Sequence, residues 1–525
     1  MASQAEAVSG DREGGRGTAP RAGQSVALAT LCTLLFLTFL DNTVVSVALG
    51  DLQTSLKATV SDLQWVVGAY ALTFASIMLA CGMIGDELGR KKVMLAGAGV
   101  FCAGSVLCAL APNVQVLIAG RAVMGLGAAA SEPGTLSMLR HLYPDARSRS
   151  RAVGIWAATS GFALAAGPVI GGVIIGAWNW RGIFWFNLVF GLAALIVAAI
   201  VLPESSNAEA VRVDIPGTLL GAGALATGVF AIIDSESAGF GSAYVVVLLC
   251  VSAVMFAAFG WWERRAPYPL LDLRFLRVPQ FTTSLIAAFC TYFATFAIFF
   301  FVALYLDEVV GASGYRLAAV FAPMTVLMIV ASVLAGRWTA LAGPRWSIAI
   351  GCLLFAIGLF LADGYIAPRP DYGPLILTLA LAGIGIGTTV VPITSSVLSA
   401  VPAERSGMAA SATNTSREIG AVTGVAVLGS LVYSQLRSSL ATQMHHLGIP
   451  AVYQGIVANA LETGQVPRNT SGYAYGKIVQ EVIGAAYNAF HNGLHAALYL
   501  SAGLVLAAGL LALITLRSPP VDAGS

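Results

Sequence analysis

Five ionisable residues lie inside long apolar stretches of the sequence, where no water is expected to solvate a charged side chain. They are Asp41, Arg121, Glu132, Arg417 and Glu418. If these stretches cross a membrane, each charge costs about 2.5–3.5 kcal/mol on insertion scales. A charge at such a place usually serves proton movement or the binding of a charged ligand. These residues therefore predict proton exchange or cation binding inside a bilayer.

Asp41 lies near the end of the first apolar stretch, and Arg121 lies near the start of the fourth. At about 1.5 Å per residue, the two depths agree within one helical turn. We therefore expect the side chains to face each other. Two interpretations are open: a static buried ion pair, or a pair that a proton or a substrate breaks during transport.

Glu132 follows Arg121 by eleven residues. Eleven steps of about 100° return to nearly the same face of a helix, about 16 Å further along its axis. Glu132 is therefore predicted to face the same cavity, where it would take up a proton or hold a cationic substrate. The alternative is a carboxyl group that is simply solvated in an open vestibule.

Arg417 and Glu418 are neighbours in sequence, so their side chains diverge by about 100° on a helix. We expect Arg417 to pack between helices. Asn414 and Glu418 share a helical face and, with Glu132 and Trp156, are candidates for lining a substrate cavity. For Trp156, packing is the default interpretation.

The composition predicts an all-α polytopic membrane protein. Of the 525 residues, 57% are hydrophobic and only 10% are charged, whereas a soluble domain carries about 25% charged residues. Apolar stretches of about 20 residues are typical of membrane helices. The net charge of +2 gives no reason to expect a nucleic-acid partner. The sequence has no nucleotide-binding glycine loop, so it predicts neither an enzyme nor an ATP-driven pump.

The apolar stretches predict fourteen helices. They fall near 25–49, 62–83, 93–112, 115–139, 151–176, 182–202, 214–233, 243–262, 280–305, 316–340, 346–363, 373–400, 407–433 and 490–516. Nineteen of the 28 Lys and Arg residues then lie on the side of the N-terminus and seven on the other side. The positive-inside rule therefore places both termini in the cytoplasm.

The chain contains an internal repeat, which is common in transporters. Gly154, Gly161, Gly167 and Gly171 recur at one constant offset as Gly407, Asn414, Gly420 and Gly424, and the pair Gly82 and Gly89 recurs as Gly336 and Gly343. The repeat predicts two six-helix bundles with two helices inserted between them. The expected divisions are a tail 1–24, a bundle 25–202, the insert 203–265, a bundle 266–516 with a long outer loop 434–489, and a tail 517–525.

Several segments carry recognisable motifs in the same order as the helices. They are residues 40–49 in the first helix, 82–92 after the second, 121–127 in the fourth, 167–172 in the fifth, and 414–420 in the thirteenth. Together they resemble the fourteen-helix drug:proton antiporter branch of the major facilitator superfamily.

The resemblance implies a proton-coupled antiporter that exports small amphipathic compounds such as drugs, antibiotics and dyes by alternating access. It implies proton coupling through Asp41. From the helix positions above, we expect Arg121 on the same coupling side and Glu132 as the acceptor for substrate or proton. The loop residues Gly82, Asp86, Gly89 and Arg90 would control conformation, and Gly167, Pro168, Gly171 and Gly172 would form the antiporter helix motif. The expected setting is a bacterial plasma membrane. The expected protein acts as a monomer, without a cofactor, and draws on the proton gradient.

The same sequence allows two other functions and suggests one other kind of site. A dedicated exporter of one secondary metabolite, siderophore or lipid fits the same residues, and a non-transporting scaffold or sensor fits them less well. His491 and His495 have the spacing of a metal pair on a helix, but no carboxylate or third ligand accompanies them in the sequence. We therefore predict no metal site and expect the two histidines to face water.

Overall fold

The computed structural model describes residues 22–143, 145–204, 214–367, 370–402, 405–446 and 476–516. The first bundle contains α1 (Ala22–Val44), α2 (Val60–Leu88), α3 (Arg90–Ala109), α4 (Val114–Leu142), α5 (Ala146–Ala177) and α6 (Arg181–Val201). The insert contains α7 (Ile215–Ala238) and α8 (Ala243–Glu263). The second bundle contains α9 (Pro279–Ala297), α10 (Gly314–Ala342), α11 (Pro344–Asp363), α12 (Tyr372–Ser399), α13 (Ser406–His446) and α14 (Gly476–Thr515).

Thirteen helices of the described chain are long and apolar enough to cross a bilayer. The remaining helix, α13, packs beside α9 and α14 within the second bundle and beside α2 of the first bundle. The fold is therefore the predicted helical membrane architecture. We call the side of the bundle on which α1 begins the N-terminal face, and the other side the opposite face.

The helices group into two bundles that meet along two seams. Within the first bundle α4 packs on α2 and α3, and α1 packs on α5 and α6. Within the second, α12 packs on α10 and α11, and α9 packs on α13 and α14. The halves touch where α2 meets α13 and where α5 meets α10, and α7 packs on both α2 and α13.

The sequence repeat corresponds to repeated packing. Gly89 and Gly343 end α2 and α10 with φ angles of 113° and 79°, in the region that favours glycine. A Cβ atom at Gly167 would lie 2.9 Å from the backbone nitrogen of Val44 on α1. Its repeat partner Gly420 would place a Cβ atom 3.1 Å from the Cα atom of Phe289 on α9. In both halves a glycine thus lets the fifth helix of the bundle press against the first.

Two helices are interrupted near the opposite face. The first helix was expected over 25–49, but α1 leads through a 3₁₀ turn (Val45–Ala48) into a short helix (Leu49–Leu56). A π-helical turn (Ile298–Val302) follows α9. Both turns are buried and pack against each other, so they join the two halves at this face.

Both ends of the long outer loop predicted over 434–489 are helical in the structure. Helix α13 continues to His446, and α14 begins at Gly476, because a helix can extend past the membrane after its apolar stretch has ended. Residues 447–475 lie outside the described residues, as do residues 1–21 and 517–525 of the predicted tails.

Candidate functional site

The first cluster of the site surrounds Asp41 within the first bundle. Arg121 on α4 forms an ion pair with Asp41 Oδ2, and Asn187 on α6 donates a hydrogen bond of 2.6 Å to Asp41 Oδ1. Arg121 also donates from Nε to the carbonyl oxygen of Val66 at 2.9 Å. Its guanidinium lies 4.5 Å from the ring centroid of Tyr70. The contact between Asp41 and Arg121 is the one that their depths predict.

The next residue of α1 reaches across to the second bundle. Asn42 Nδ2 donates a hydrogen bond of 2.8 Å to Glu418 Oε1 on α13. Asn42 is 2% exposed and Glu418 is 1% exposed. Because Asp41 and Asn42 are adjacent, one segment of α1 holds both the ion pair of the first bundle and a bond between the two bundles.

A second bond between the bundles runs in the other direction. Asn414 on α13 donates from Nδ2 to Glu132 Oε1 on α4. Arg417 Nη1 donates to Asn414 Oδ1 at 3.2 Å, which turns the amide so that its NH₂ group faces Glu132. Arg417 Nη2 in turn donates to Thr394 Oγ1 on α12 at 2.7 Å. Arg417 thus packs between helices as expected, and it also orients Asn414.

The two glutamates are enclosed by protein. Glu132 is 1% exposed, so the alternative of a solvated carboxyl group in an open vestibule is wrong for this conformation. Among the described residues, Glu132 Oε2 and Glu418 Oε2 have no hydrogen-bond partner. A buried charge without partners is costly, so each carboxyl group is suited to binding a proton or a cation.

Trp156 packs against α4. Its Nε1 donates a hydrogen bond of 2.9 Å to Thr135 Oγ1, and Thr135 Oγ1 donates to the carbonyl oxygen of Glu132 at 2.7 Å. Trp156 is 4% exposed, which agrees with the default interpretation of packing. Through Thr135 it braces the turn of α4 that carries Glu132.

The loop motif lies at the N-terminal face between α2 and α3. A Cβ atom at Gly82 would lie 3.5 Å from Pro133 Cβ, and one at Gly89 would lie 2.8 Å from Glu204 Oε1. Glu204 also accepts a hydrogen bond of 3.2 Å from the backbone amide of Lys91. This amide lies in the first turn of α3, which begins at Arg90. The side chain of Asp86 lies outside the described residues, so its expected charge contacts stay a prediction.

Sequence reasoning missed Glu204 as a partner of this loop. The available signal was an acidic residue directly after Pro203, at the end of α6. A carboxylate next to a helix N-terminus stabilises the unpaired amide groups there, and α3 begins at that point. Glu204 therefore links the loop motif to the segment that leads into the insert.

The antiporter motif brings α5 against both α1 and α10. A Cβ atom at Gly171 would lie 2.7 Å from the Val44 carbonyl oxygen, and one at Gly172 would lie 2.6 Å from the Gly314 carbonyl oxygen. Pro168 has no amide proton, so the carbonyl of Leu164 loses its usual helical donor. Thr43 Oγ1 on α1 donates to this carbonyl oxygen at 2.9 Å. The motif thus forms a close and specific junction of three helices.

His495 has a carboxylate partner that the sequence did not reveal. Its Nδ1 contacts the carboxylate of Asp363 at the end of α11, and His491 lies 2.6 Å through Nε2 from the carbonyl oxygen of Ile366. The expectation that no carboxylate accompanies these histidines is therefore wrong, because Asp363 comes from another helix. Within the described chain no three potential ligands cluster as a metal site would require.

Comparisons with known proteins give relatives along most of the chain. The Multidrug resistance protein Stp of Mycobacterium tuberculosis (strain CDC 1551 / Oshkosh) is 33% identical over 83% of this chain and 80% of its own length. The Methylenomycin A resistance protein of Bacillus subtilis (strain 168) is 35% identical over 78% and 88%. The Multidrug efflux pump LfrA of Mycolicibacterium smegmatis is 28% identical over 94% and 96%.

The fold also matches solved transporter structures. An inward-facing, unoccupied bacterial homologue of the human lysosomal transporter Spinster superposes with a TM-score of 0.63 at 17% identity, covering 95% of this chain and 100% of the other. The profile of the Major Facilitator Superfamily matches residues 31–425. The two bundles, their two seams and the junction of α1 with α5 agree with this match. The family profile and the relatives show that the chain belongs to the major facilitator superfamily.

Proposed function

We propose that this protein exports small amphipathic organic compounds, including drugs, antibiotics and dyes, in exchange for protons. The observation that carries the proposal is the pair of buried bonds between the halves, Glu132 with Asn414 and Glu418 with Asn42. Alternating access requires contacts between the halves to form and break. A bond to a carboxyl group weakens when that group binds a proton or a substrate cation instead.

Asp41 is the proposed coupling group. Its ion pair with Arg121 is enclosed within the first bundle, and a proton on Asp41 would remove the attraction that holds the guanidinium there. The neighbouring Asn42 would transmit the resulting shift of α1 to Glu418 on α13, in the other half of the protein. The static-pair interpretation predicts instead that a neutral residue at position 41 leaves coupling unchanged.

Glu132 is the proposed acceptor for a proton or a cationic substrate group. Its second carboxylate oxygen has no hydrogen-bond partner in the described chain, and Asn414 occupies the first. A substrate cation near Glu132 would compete with the Asn414 amide and so loosen the contact between α4 and α13. Binding of substrate would thereby favour the conformational change that carries it across the membrane.

We place both termini in the cytoplasm, on the strength of the Lys and Arg distribution. The N-terminal face would then be cytoplasmic. The loop around Gly89 would change its contacts when the two halves close together on that side. Transport would proceed in a single chain without a cofactor, with the proton gradient as its energy source. A reporter fused to the C-terminus, active only on one side of the membrane, tests this orientation.

The experiment compares ethidium efflux from energised cells that express wild type, Asp41→Asn or Glu132→Gln. Wild type should lower dye accumulation, a protonophore should abolish the effect, and each substitution should reduce efflux at least fivefold. Asp371→Asn is the matched control, because Asp371 is exposed at the N-terminus of α12 and asparagine caps a helix equally well, so efflux should be unchanged. Export that survives both buried substitutions would overturn the coupling site.

A dedicated exporter of one compound is the second candidate, because one relative is named for resistance to a single antibiotic, methylenomycin A. The same cells distinguish it. If correctly inserted wild type moves no dye, while a single antibiotic loses its toxicity in those cells, the narrow function is correct. A scaffold or sensor predicts no protection against any compound.

A further inference from the structure

Two acidic residues meet at the N-terminal face, at the base of the insert. Asp214 directly precedes α7, and Glu263 is the last residue of α8. A Cβ atom at Gly217 would lie 2.9 Å from Asp214 Cγ and 2.9 Å from Glu263 Oε1. The absence of a side chain at Gly217 therefore lets the two carboxyl groups approach each other.

The Asp214 carboxylate is well supplied with hydrogen-bond donors. Its Oδ1 accepts a hydrogen bond of 3.0 Å from the Gly217 amide in the first turn of α7. The indole Nε1 of Trp262 donates to both oxygens, at 2.8 Å to Oδ1 and at 3.0 Å to Oδ2. A carboxylate at a helix N-terminus is also stabilised by the helix dipole. These groups stabilise the ionised form of Asp214, which is only 7% exposed.

Glu263 has a donor on only one of its two oxygens. Its Oε2 accepts a hydrogen bond of 3.2 Å from the amide of Leu271, in the linker that leads from α8 to α9. Its Oε1 is buried and has no hydrogen-bond partner among the described residues, and the residue is 3% exposed. Two enclosed carboxylates that lie this close repel each other, unless one of them binds a proton.

The charged residues around this pair do not neutralise it. The ion pairs of the described chain include neither Asp214 nor Glu263. Arg264 and Arg265 follow Glu263 but are exposed, and Arg265 lies over a tryptophan ring. In the linker, the Asp272 carboxylate accepts a hydrogen bond from a backbone amide two residues further on. The two carboxyl groups are therefore left to each other.

The linker that Glu263 holds leads into the second bundle. Its apolar residues pack on a buried cluster of α9, α12 and α13. The linker residues are Leu271, Phe275 and Val278, and the cluster comprises Phe281, Val397, Val401, Ala409 and Ala412. The hydrogen bond between Glu263 and Leu271 is therefore a point at which the insert is tied to the second bundle.

We propose that Asp214 and Glu263 bind one proton between them, with the Glu263 carboxyl group donating from Oε1 to the Asp214 carboxylate. This proton site is separate from the buried carboxyl groups of the transport site and does not depend on the export function. Release of the proton would leave two adjacent negative charges, and their repulsion would move Glu263 away from the Leu271 amide. On the orientation proposed above, cytoplasmic pH would control how firmly the insert holds the linker.

The test measures amide hydrogen exchange in the linker, residues 264–278, of the full-length protein in lipid nanodiscs. The measured rate is divided by the intrinsic rate at each pH, from about pH 5 to about pH 9, the range in which buried carboxyl groups titrate. Glu263→Gln keeps an acceptor for the Leu271 amide and can donate to Asp214 at every pH. Asp214→Asn removes one of the two charges and still caps α7. Asp272→Asn is the matched control, because asparagine forms the same turn as aspartate.

We expect protection of the linker in wild type to fall at least tenfold across this range as the proton is released. Glu263→Gln and Asp214→Asn should change by less than threefold, and Asp272→Asn should follow wild type. Protection that is independent of pH in wild type, or that falls equally in wild type and both variants of the pair, would overturn the shared proton. Restoration of wild-type protection at about pH 9 by Mg²⁺ would show a metal site in its place and would overturn the proposal as well.

Discussion

Thr43 and Pro168 make a quantitative prediction about the junction of α1 and α5. Thr43 is fully buried, and its hydroxyl group donates to the Leu164 carbonyl oxygen at 2.9 Å. That oxygen lacks its usual helical donor because Pro168 has no amide proton. The hydroxyl group therefore replaces a backbone hydrogen bond that the proline removed.

Thr43→Val keeps the shape of the side chain and leaves the Leu164 carbonyl oxygen buried without a donor. Interhelical hydrogen bonds in membranes average about 0.6 kcal/mol in double-mutant cycles and reach about 1.7 kcal/mol. Because both groups are enclosed, we expect a loss of about 1–1.7 kcal/mol, at the upper end of that range. In a Pro168→Ala background the backbone amide supplies the donor again, so the same change should cost about 0.5 kcal/mol or less.

The assay is reversible unfolding in mixed detergent micelles with increasing dodecyl sulfate, which gives the free energy of unfolding for all four proteins of the cycle. Thr30→Val is the control, because the Thr30 hydroxyl group donates to Val26 of its own helix and should show no coupling to position 168. An equal cost of Thr43→Val in both backgrounds would refute the inferred hydrogen-bond replacement.

Three further predictions concern the loop, the buried arginine and the α5–α10 junction. Gly89→Ala should lower the free energy of unfolding by about 1–2 kcal/mol, because residue 89 has a φ angle of 113°, and an unchanged value in the same unfolding assay would contradict this. Arg121→Lys should reduce ethidium efflux at least fivefold although the charge is kept, because an ammonium group cannot make the contacts with Asp41, Val66 and Tyr70 together; full efflux would show that charge alone suffices. Gly172→Val should abolish efflux, because its side chain would meet the Gly314 carbonyl oxygen. Gly99→Val, at an open position on α3, should leave efflux unchanged. An equal loss of efflux in both variants would argue against a specific junction of α5 with α10.

The membrane helices were largely predictable, because a helix needs about 20 apolar residues to cross the bilayer and hydropathy detects such stretches. The insert, expected over 214–233 and 243–262, forms Ile215–Ala238 and Ala243–Glu263. Hydropathy failed where helices leave the bilayer. It did not predict the turns from Leu49 to Leu56 or the extension of α13 to His446, since polar residues continue a helix without an apolar signal.

Contacts within one bundle were more predictable than contacts between bundles. Asp41 and Arg121 could be paired because each lies at a known distance from the end of its helix, and these distances fix their relative depth. Asn42 and Glu418 are 376 residues apart, and no spacing rule relates their rotation about two different helices. One contact within the second bundle was missed as well, that of His495 with Asp363, because it depends on how α14 packs on α11.

The roles of the motif residues remain predictions of a different kind. The glycines of α5 were identified by their spacing, and the structure shows what they touch, because a missing Cβ atom is visible as a close approach. Proton coupling is a property of the cycle and not of one conformation. The buried position of Asp41, Glu132 and Glu418 supports it, and transport measurements decide it.

The most direct measurement uses purified protein in liposomes with a pH-sensitive dye trapped inside. Under an imposed proton gradient, wild type should drive rhodamine 6G uphill and move protons in the opposite direction, and each flux should require the other. Asp41→Asn should lose the gradient-driven flux yet still exchange rhodamine 6G downhill. Equal gradient-driven transport by wild type and Asp41→Asn, or wild-type export without proton movement, would contradict coupling through the buried carboxyl group.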